Sequence, residues 1–162
     1  MTYTIWSGDQ LIGHTSLERS AVGAATRAGA FHPTPAFDAI WPVLRTFHAL
    51  AAETTADFHT LPAGASGEEI HAWLVGQPTA AAFAASGKAV AALGLEIRDS
   101  AGAAMPGVRV LVSESLPPAV IDQITQLDPE RAPDVVRLAT ADWPRYMAAV
   151  VPERTDRPPA AG

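Results

Sequence analysis

Thr2-Tyr-Thr-Ile-Trp-Ser-Gly-Asp-Gln-Leu-Ile-Gly-His-Thr15 decides how this chain begins to fold. Two apolar, β-rich runs, Thr2 to Trp6 and Leu11 to Thr15, flank Ser7-Gly8-Asp9-Gln10. Gly-Asp is a favoured two-residue hairpin loop because glycine takes a positive φ at little cost. The resulting register sets Ser7 against Gln10, Trp6 against Leu11, Ile5 against Ile12 and Tyr3 against His14. It predicts Tyr3, Ile5, Ile12 and His14 on one side of the ribbon and the Trp6–Leu11 pair on the other. A two-stranded ribbon is marginal alone, so one side must cover a core.

Working outward, Ser20 to Ala30 carries Gly23 and Gly29 with no clear period and reads as a loop with room for a short extended segment. In Phe31-His-Pro-Thr-Pro-Ala-Phe37, Thr34 is placed to cap a helix and Pro35 suits its first turn. Phe37, Ile40, Trp41, Leu44, Phe47, His48 and Ala51 recur at helical spacing, which predicts a helix over Pro35 to Glu53, kinked at Pro42. Ser66 and Glu69 form an S-x-x-E capping box that launches a short helix through Ile70, Trp73 and Leu74, ending at Gly76 and Pro78. Thr79 then caps an alanine-rich helix through Phe83 that stops near Gly87.

Leu93, Leu95 and Ile97 alternate with Glu96 and Arg98, the pattern of a half-buried strand, and Val108 to Val112 supplies a second. Turn residues between them, Asp99-Ser-Ala-Gly102 and Pro106-Gly107, predict a meander. Val120, Ile121, Ile124 and Leu127 mark a short amphipathic helix, with a fresh helix start at Asp128-Pro129-Glu130. The expectation is one α+β domain over residues 1–151. In it a small antiparallel sheet from two hairpins packs against the kinked helix and several short helices. Residues 152–162 are expected to form a disordered tail.

Composition narrows the function classes. A chain of 162 residues is long enough to bury roughly 70% of its unfolded surface. The absence of cysteine excludes disulfides, thiolate metal sites and thiol nucleophiles. A net charge of −6 without any basic cluster argues against nucleic acid and anionic membranes as partners. No apolar run approaches the ~20 residues of a membrane span, and no leader pattern opens the chain. The expected setting is the cytoplasm. Alanine excess, no asparagine and Lys88 as the sole lysine fit a GC-rich bacterial coding sequence.

Candidate chemistry is sparse. Glu68-Glu-Ile-His71 holds one E-x-x-H, whereas a di-iron bundle needs two such motifs and two further glutamates. A solvated helix face explains it as well. The other donors in this region are His48, Glu53, Asp57 and His59. Asp57-Phe-His59, if extended, would put a carboxylate and an imidazole on one face for base catalysis, against a plain surface role. His14 ends the hairpin and His32 precedes the helix, so the two could converge; packing beside Tyr3 and at the helix entrance are the simpler roles. Ser86-Gly87-Lys88 lacks the first glycine and the Ser/Thr of a phosphate loop. No cofactor or metal site is predicted.

Tyr3-x-Ile5, Gly8, Leu11-Ile-Gly13, Ser16-Leu-Glu18 and Gly29-x-Phe31-x-Pro33-Thr-Pro-x-Phe37 together resemble the opening of small uncharacterised bacterial proteins with a similar hairpin, loop and helix entry. The resemblance extends more loosely to the strand pair between Leu93 and Val112. It implies no site residues. The leading expectation is therefore a non-catalytic protein-interaction or accessory module, using Trp6 and Leu11 toward a protein partner or a second copy. The alternative is a small enzyme or ligand-binding protein with a pocket between sheet and helices, drawing on His14, His32, Asp57, His59 or His71.

Overall fold

The computed structural model describes residues 1–17, 19–20, 27–114 and 145–153. The helix expected around Val120 to Leu127, the helix start at Asp128 and most of the expected tail, 154–162, lie outside them.

The described chain forms an α+β fold of seven strands and three helices: β1 (Tyr3–Ser7), β2 (Gln10–Thr15), β3 (Arg19–Ser20), β4 (Arg27–Pro33), α1 (Phe37–Thr54), α2 (Gly67–Val75), α3 (Ala80–Ala92), β5 (Leu95–Arg98), β6 (Val108–Glu114) and β7 (Tyr146–Pro152). The sheet is antiparallel throughout, ordered β5-β1-β2-β4-β7-β6, with β3 paired to β4. The two ends of this order, β5 and β6, lie close to one another, so the sheet curls into a nearly closed barrel; an Arg98–Ala104 bridge ties β5 to the chain just before β6.

The hairpin forms with Gly8 at φ +61, and Ser7–Gln10 and Trp6–Leu11 pair as read from the sequence. Beyond them a bulge shifts the register, pairing Ile5 with Gly13, Thr4 with His14 and Tyr3 with Thr15. A bulge adds one residue to one strand and reverses the facing of the residues beyond it. Tyr3, Ile5 and Ile12 are buried as expected, but His14 turns to the outer face beside Thr4 rather than packing with Tyr3.

Residues 27–33, expected mostly as loop, form a strand between β2 and β7. Its Gly29 is required by packing: a Cβ there would lie 2.6 Å from the backbone nitrogen of Leu17. Leu17 takes φ +51 and buries its side chain completely. Strand β7 has no counterpart among the sequence expectations. Tyr146, Ala148 and Val150 face the core, while Met147, Ala149 and Val151 face out, so no polar alternation betrays it.

Helix α1 starts at Phe37, two residues later than expected, because Thr34 does something else. Its hydroxyl donates to the Leu11 carbonyl at 2.7 Å, and Ala36 holds the cap position without a side-chain bond. The helix continues through Pro42 to Thr54 and buries Phe37, Ile40 and Leu44 against the inner sheet face. Pro42 sits early enough that its missing N–H removes a bond only from the first turns. Helix α3 runs past Gly87 to Ala92, since Gly87 lies against Phe47 of α1 and the alanines carry strong helix propensity. The Thr79 hydroxyl bonds the Thr54 hydroxyl instead of capping.

The meander is not made. After Met105 N–H donates to the Ile97 carbonyl (3.0 Å), Pro106 and Gly107 (φ +70) turn β6 away, and among the described residues it pairs with β7 alone.

Two outcomes are expected from this packing. Gly29→Ala forces a methyl into backbone that cannot move aside, so chemical denaturation should show a loss of about 1–3 kcal/mol. The capping box of α2 is complete: the Ser66 N–H donates to Glu69 Oε2 at 2.7 Å and the Glu69 N–H to Ser66 Oγ at 3.2 Å. The Ser66 backbone bond, then its hydroxyl, holds the Glu69 carboxyl below its ordinary value. A carboxyl lowered by folding supports the helix above the ordinary carboxylate range and loses that support as pH falls through the lowered value. NMR amide shifts at Ser66 should therefore report fraying of the α2 start in acid, and Glu69→Gln should abolish that pH dependence.

Candidate functional site

Among the described residues the barrel is open where β5 and β6 diverge. There a cavity of about 550 Å³ is walled by Phe47 of α1, Val90 of α3, Leu95 of β5 and Val108, Val110 and Leu111 of β6, with His48, Arg109 and Glu153 as its polar groups. Apolar walls with a few polar groups are the usual build of a binding cleft.

Backbone geometry defines the rim. The Glu153 N–H donates to the Gly107 carbonyl at 2.9 Å, which makes Gly107, Arg109, Leu111 and Ser113 the positions that bond β7. In an antiparallel ladder the alternate residues turn their N–H and C=O the other way. Val108, Val110 and Val112 therefore present theirs to the open edge. Consistent with this, His48 Nε2 donates to the Val112 carbonyl at 2.7 Å. Across the opening the Ile97 carbonyl faces away from β1 toward Met105, and the same alternation turns the backbone of Leu95 into the split. Four consecutive residues, Val108 to Leu111, line the cavity. Successive side chains point to opposite faces, so only a strand edge can contribute four in a row.

The five histidines do not gather there. His14 and His32 pair directly across β2 and β4 on the outer face, away from the split. Asp57 and His59 are not extended: they sit in a turn and a short 3-10 segment, Phe58–Thr60, and both are exposed. The Phe58 N–H donates to the Thr55 carbonyl, and the Thr60 N–H and hydroxyl both donate to the Asp57 carbonyl, which coils the segment after α1. His59 lines a separate hollow of about 320 Å³ with Phe58, Leu61 and Ile70 and no second titratable group. Glu68 and His71 project from α2 into solvent. Among the described residues no group of three or more His, Cys, Asp or Glu is placed to hold a metal ion.

Trp6 and Leu11 do share the outer face, both half-buried. The Arg98 guanidinium lies over the Trp6 ring at 4.5 Å and pairs with Glu96 at 2.5 Å, and the indole N–H donates to the Thr4 hydroxyl. The most exposed large apolar side chains among the described residues are Met1, Phe58 and Val75. Of the split's residues, sequence reading singled out His48 alone as a chemical donor, whereas Phe47, Leu95 and Val108 to Leu111 read as ordinary helix and strand positions. The signal that could have found the rest is Pro106-Gly107, which interrupts pairing just where two strands should have zipped.

No family model matches this chain, and neither the curated proteins nor the solved structures contain a match. No helix among the described residues is long and apolar enough to cross a membrane.

His48→Ala would strip the Val112 carbonyl of its partner beside an apolar cavity. Urea denaturation is expected to register a loss of about 1–3 kcal/mol, the cost of an orphaned, partly buried acceptor.

Proposed function

We propose that this chain is a non-catalytic recognition module that binds an extended, apolar stretch of a partner polypeptide as an added strand in the split between β5 and β6. One observation carries the reading: the cavity opens onto a strand edge, with backbone N–H and C=O groups of Val108 and Val110 turned into it and apolar side chains behind. Strand addition draws affinity from main-chain hydrogen bonds and specificity from pockets for alternate side chains. Phe47, Val90 and Leu95 supply such a pocket, and His48 closes the edge at Val112. The Trp6 ring, covered by Arg98, is assigned to the scaffold rather than to the partner. The setting we favour is the bacterial cytoplasm, in line with the composition and the N-terminal resemblance.

A second reading, a pocket for a small apolar molecule, is favoured by the cavity's volume of about 550 Å³, inside the roughly 300–1,000 Å³ range of such sites. One titration separates the two. The isotope-labelled chain is titrated with a blocked Val-Thr-Val-Thr-Val peptide and with its alternately N-methylated counterpart. Strand addition predicts that the plain peptide shifts the Val108 and Val110 amide signals and that N-methylation weakens binding roughly tenfold or more, the worth of one or two net hydrogen bonds. Equal binding of both peptides overturns strand addition in favour of an apolar pocket. Silence from both overturns the split as a polypeptide site.

A further inference from the structure

The outer sheet face, remote from the split, carries a pair of imidazoles with no described partner. His14 and His32 are directly opposite in the β2–β4 ladder. The Thr34 N–H donates to the Ile12 carbonyl at 2.9 Å two residues along each strand, which makes the histidine pair a mutually hydrogen-bonded position of the ladder. Both side chains stand opposite to the buried Thr15 and Phe31, His14 half-buried and His32 exposed. Neither ring makes a hydrogen bond or ion pair with the described residues. We infer that His14 and His32 form a two-imidazole chelate for a borderline transition-metal dication such as Zn²⁺, Ni²⁺ or Cu²⁺.

Directly opposed residues in an antiparallel pair hold their Cβ atoms about 4.5–5.5 Å apart. Two imidazoles rooted at that spacing can converge on one ion at the usual ~2.0–2.1 Å metal–nitrogen distance. Imidazole suits zinc, nickel and copper, and water completes the coordination on the solvent side. Once one ring holds the ion, the second is already at high effective concentration, because both strands lie inside the sheet. The nearby cations are otherwise engaged. Arg98, beyond Thr4 on the next strands, is paired with Glu96, and the Arg145 guanidinium lies over the Tyr146 ring at 5.1 Å.

The test is titration of the full chain with zinc chloride, followed by calorimetry and by the imidazole resonances in long-range proton–nitrogen NMR spectra. Zinc should perturb the His14 and His32 rings first. His14→Ala and His32→Ala should each weaken binding roughly tenfold or more, and the double variant should bind no worse than either single one, since one ring alone forms no chelate. Ala30→His adds a third imidazole on the outward face two residues from His32, and should tighten binding roughly tenfold or more. Zinc that leaves both ring resonances unmoved, or single alanine variants that bind as the parent does, would overturn the assignment. A gain from Ala30→His without any loss from His14→Ala would also overturn it, because the metal would then be held without the pair.

Discussion

Phe37 is the side chain on which the architecture turns. Its ring, 1% exposed, sits 5.1 Å from both Phe31 on β4 and Tyr146 on β7, edge to face, with Trp41 one turn along completing the group against Tyr146. Edge-to-face rings add to area burial because positive ring edges meet negative faces. This cluster joins the first turn of α1 to two neighbouring strands in the middle of the sheet order, and their pairing spans the whole helical segment. The helix thereby serves as a plug around which the sheet curls.

The plug explains residue choices that look odd in isolation. A Cβ at Gly13 would lie 2.3 Å from the Phe31 ring, so β2 carries glycine where a β-branched residue would otherwise be favoured. Gly29 yields in the same way to Leu17, and the small Ala148 opposite Gly29 is fully buried in the core. Large rings in the centre are balanced by small residues on the strands around them, which keeps the interior densely filled.

The same plug keeps the barrel from closing. With α1 laid across the inner face and α3 packed on α1, Phe47 and Val90 wall the space beside the β5–β6 edge, and His48 reaches from α1 to the Val112 carbonyl of that edge. Pro106 and Gly107 (φ +70) turn the chain toward β7, so zipping stops one step beyond the Arg98–Ala104 bridge, at the Met105–Ile97 hydrogen bond. The result is an apolar cleft with strand edges on both sides. It is a consequence of packing rather than of any motif, and this is why its lining reads as ordinary core sequence.

Local physics made part of the molecule readable directly. The tight turn at Gly8, the capping box at Ser66 and Glu69, the apolar stripe of α1 and the alternating Leu95–Ile97 strand depend on neighbours a few residues away, and each is present. Long-range choices were not readable. The bulge that turned His14 outward, the recruitment of a glycine- and alanine-rich segment as β4, the pairing of β7 and the diversion of the Thr34 hydroxyl to Leu11 all arise from contacts with distant chain. The convergence of His14 with His32 was open from sequence and was decided by the β2–β4 register, whereas Asp57 and His59 lost their shared face when the chain coiled instead of extending. Sequence by itself determined which segments could bury a face; only the tertiary structure decided which faces met, because a strand's partners, and so the orientation of every side chain on it, are selected by packing around Phe37.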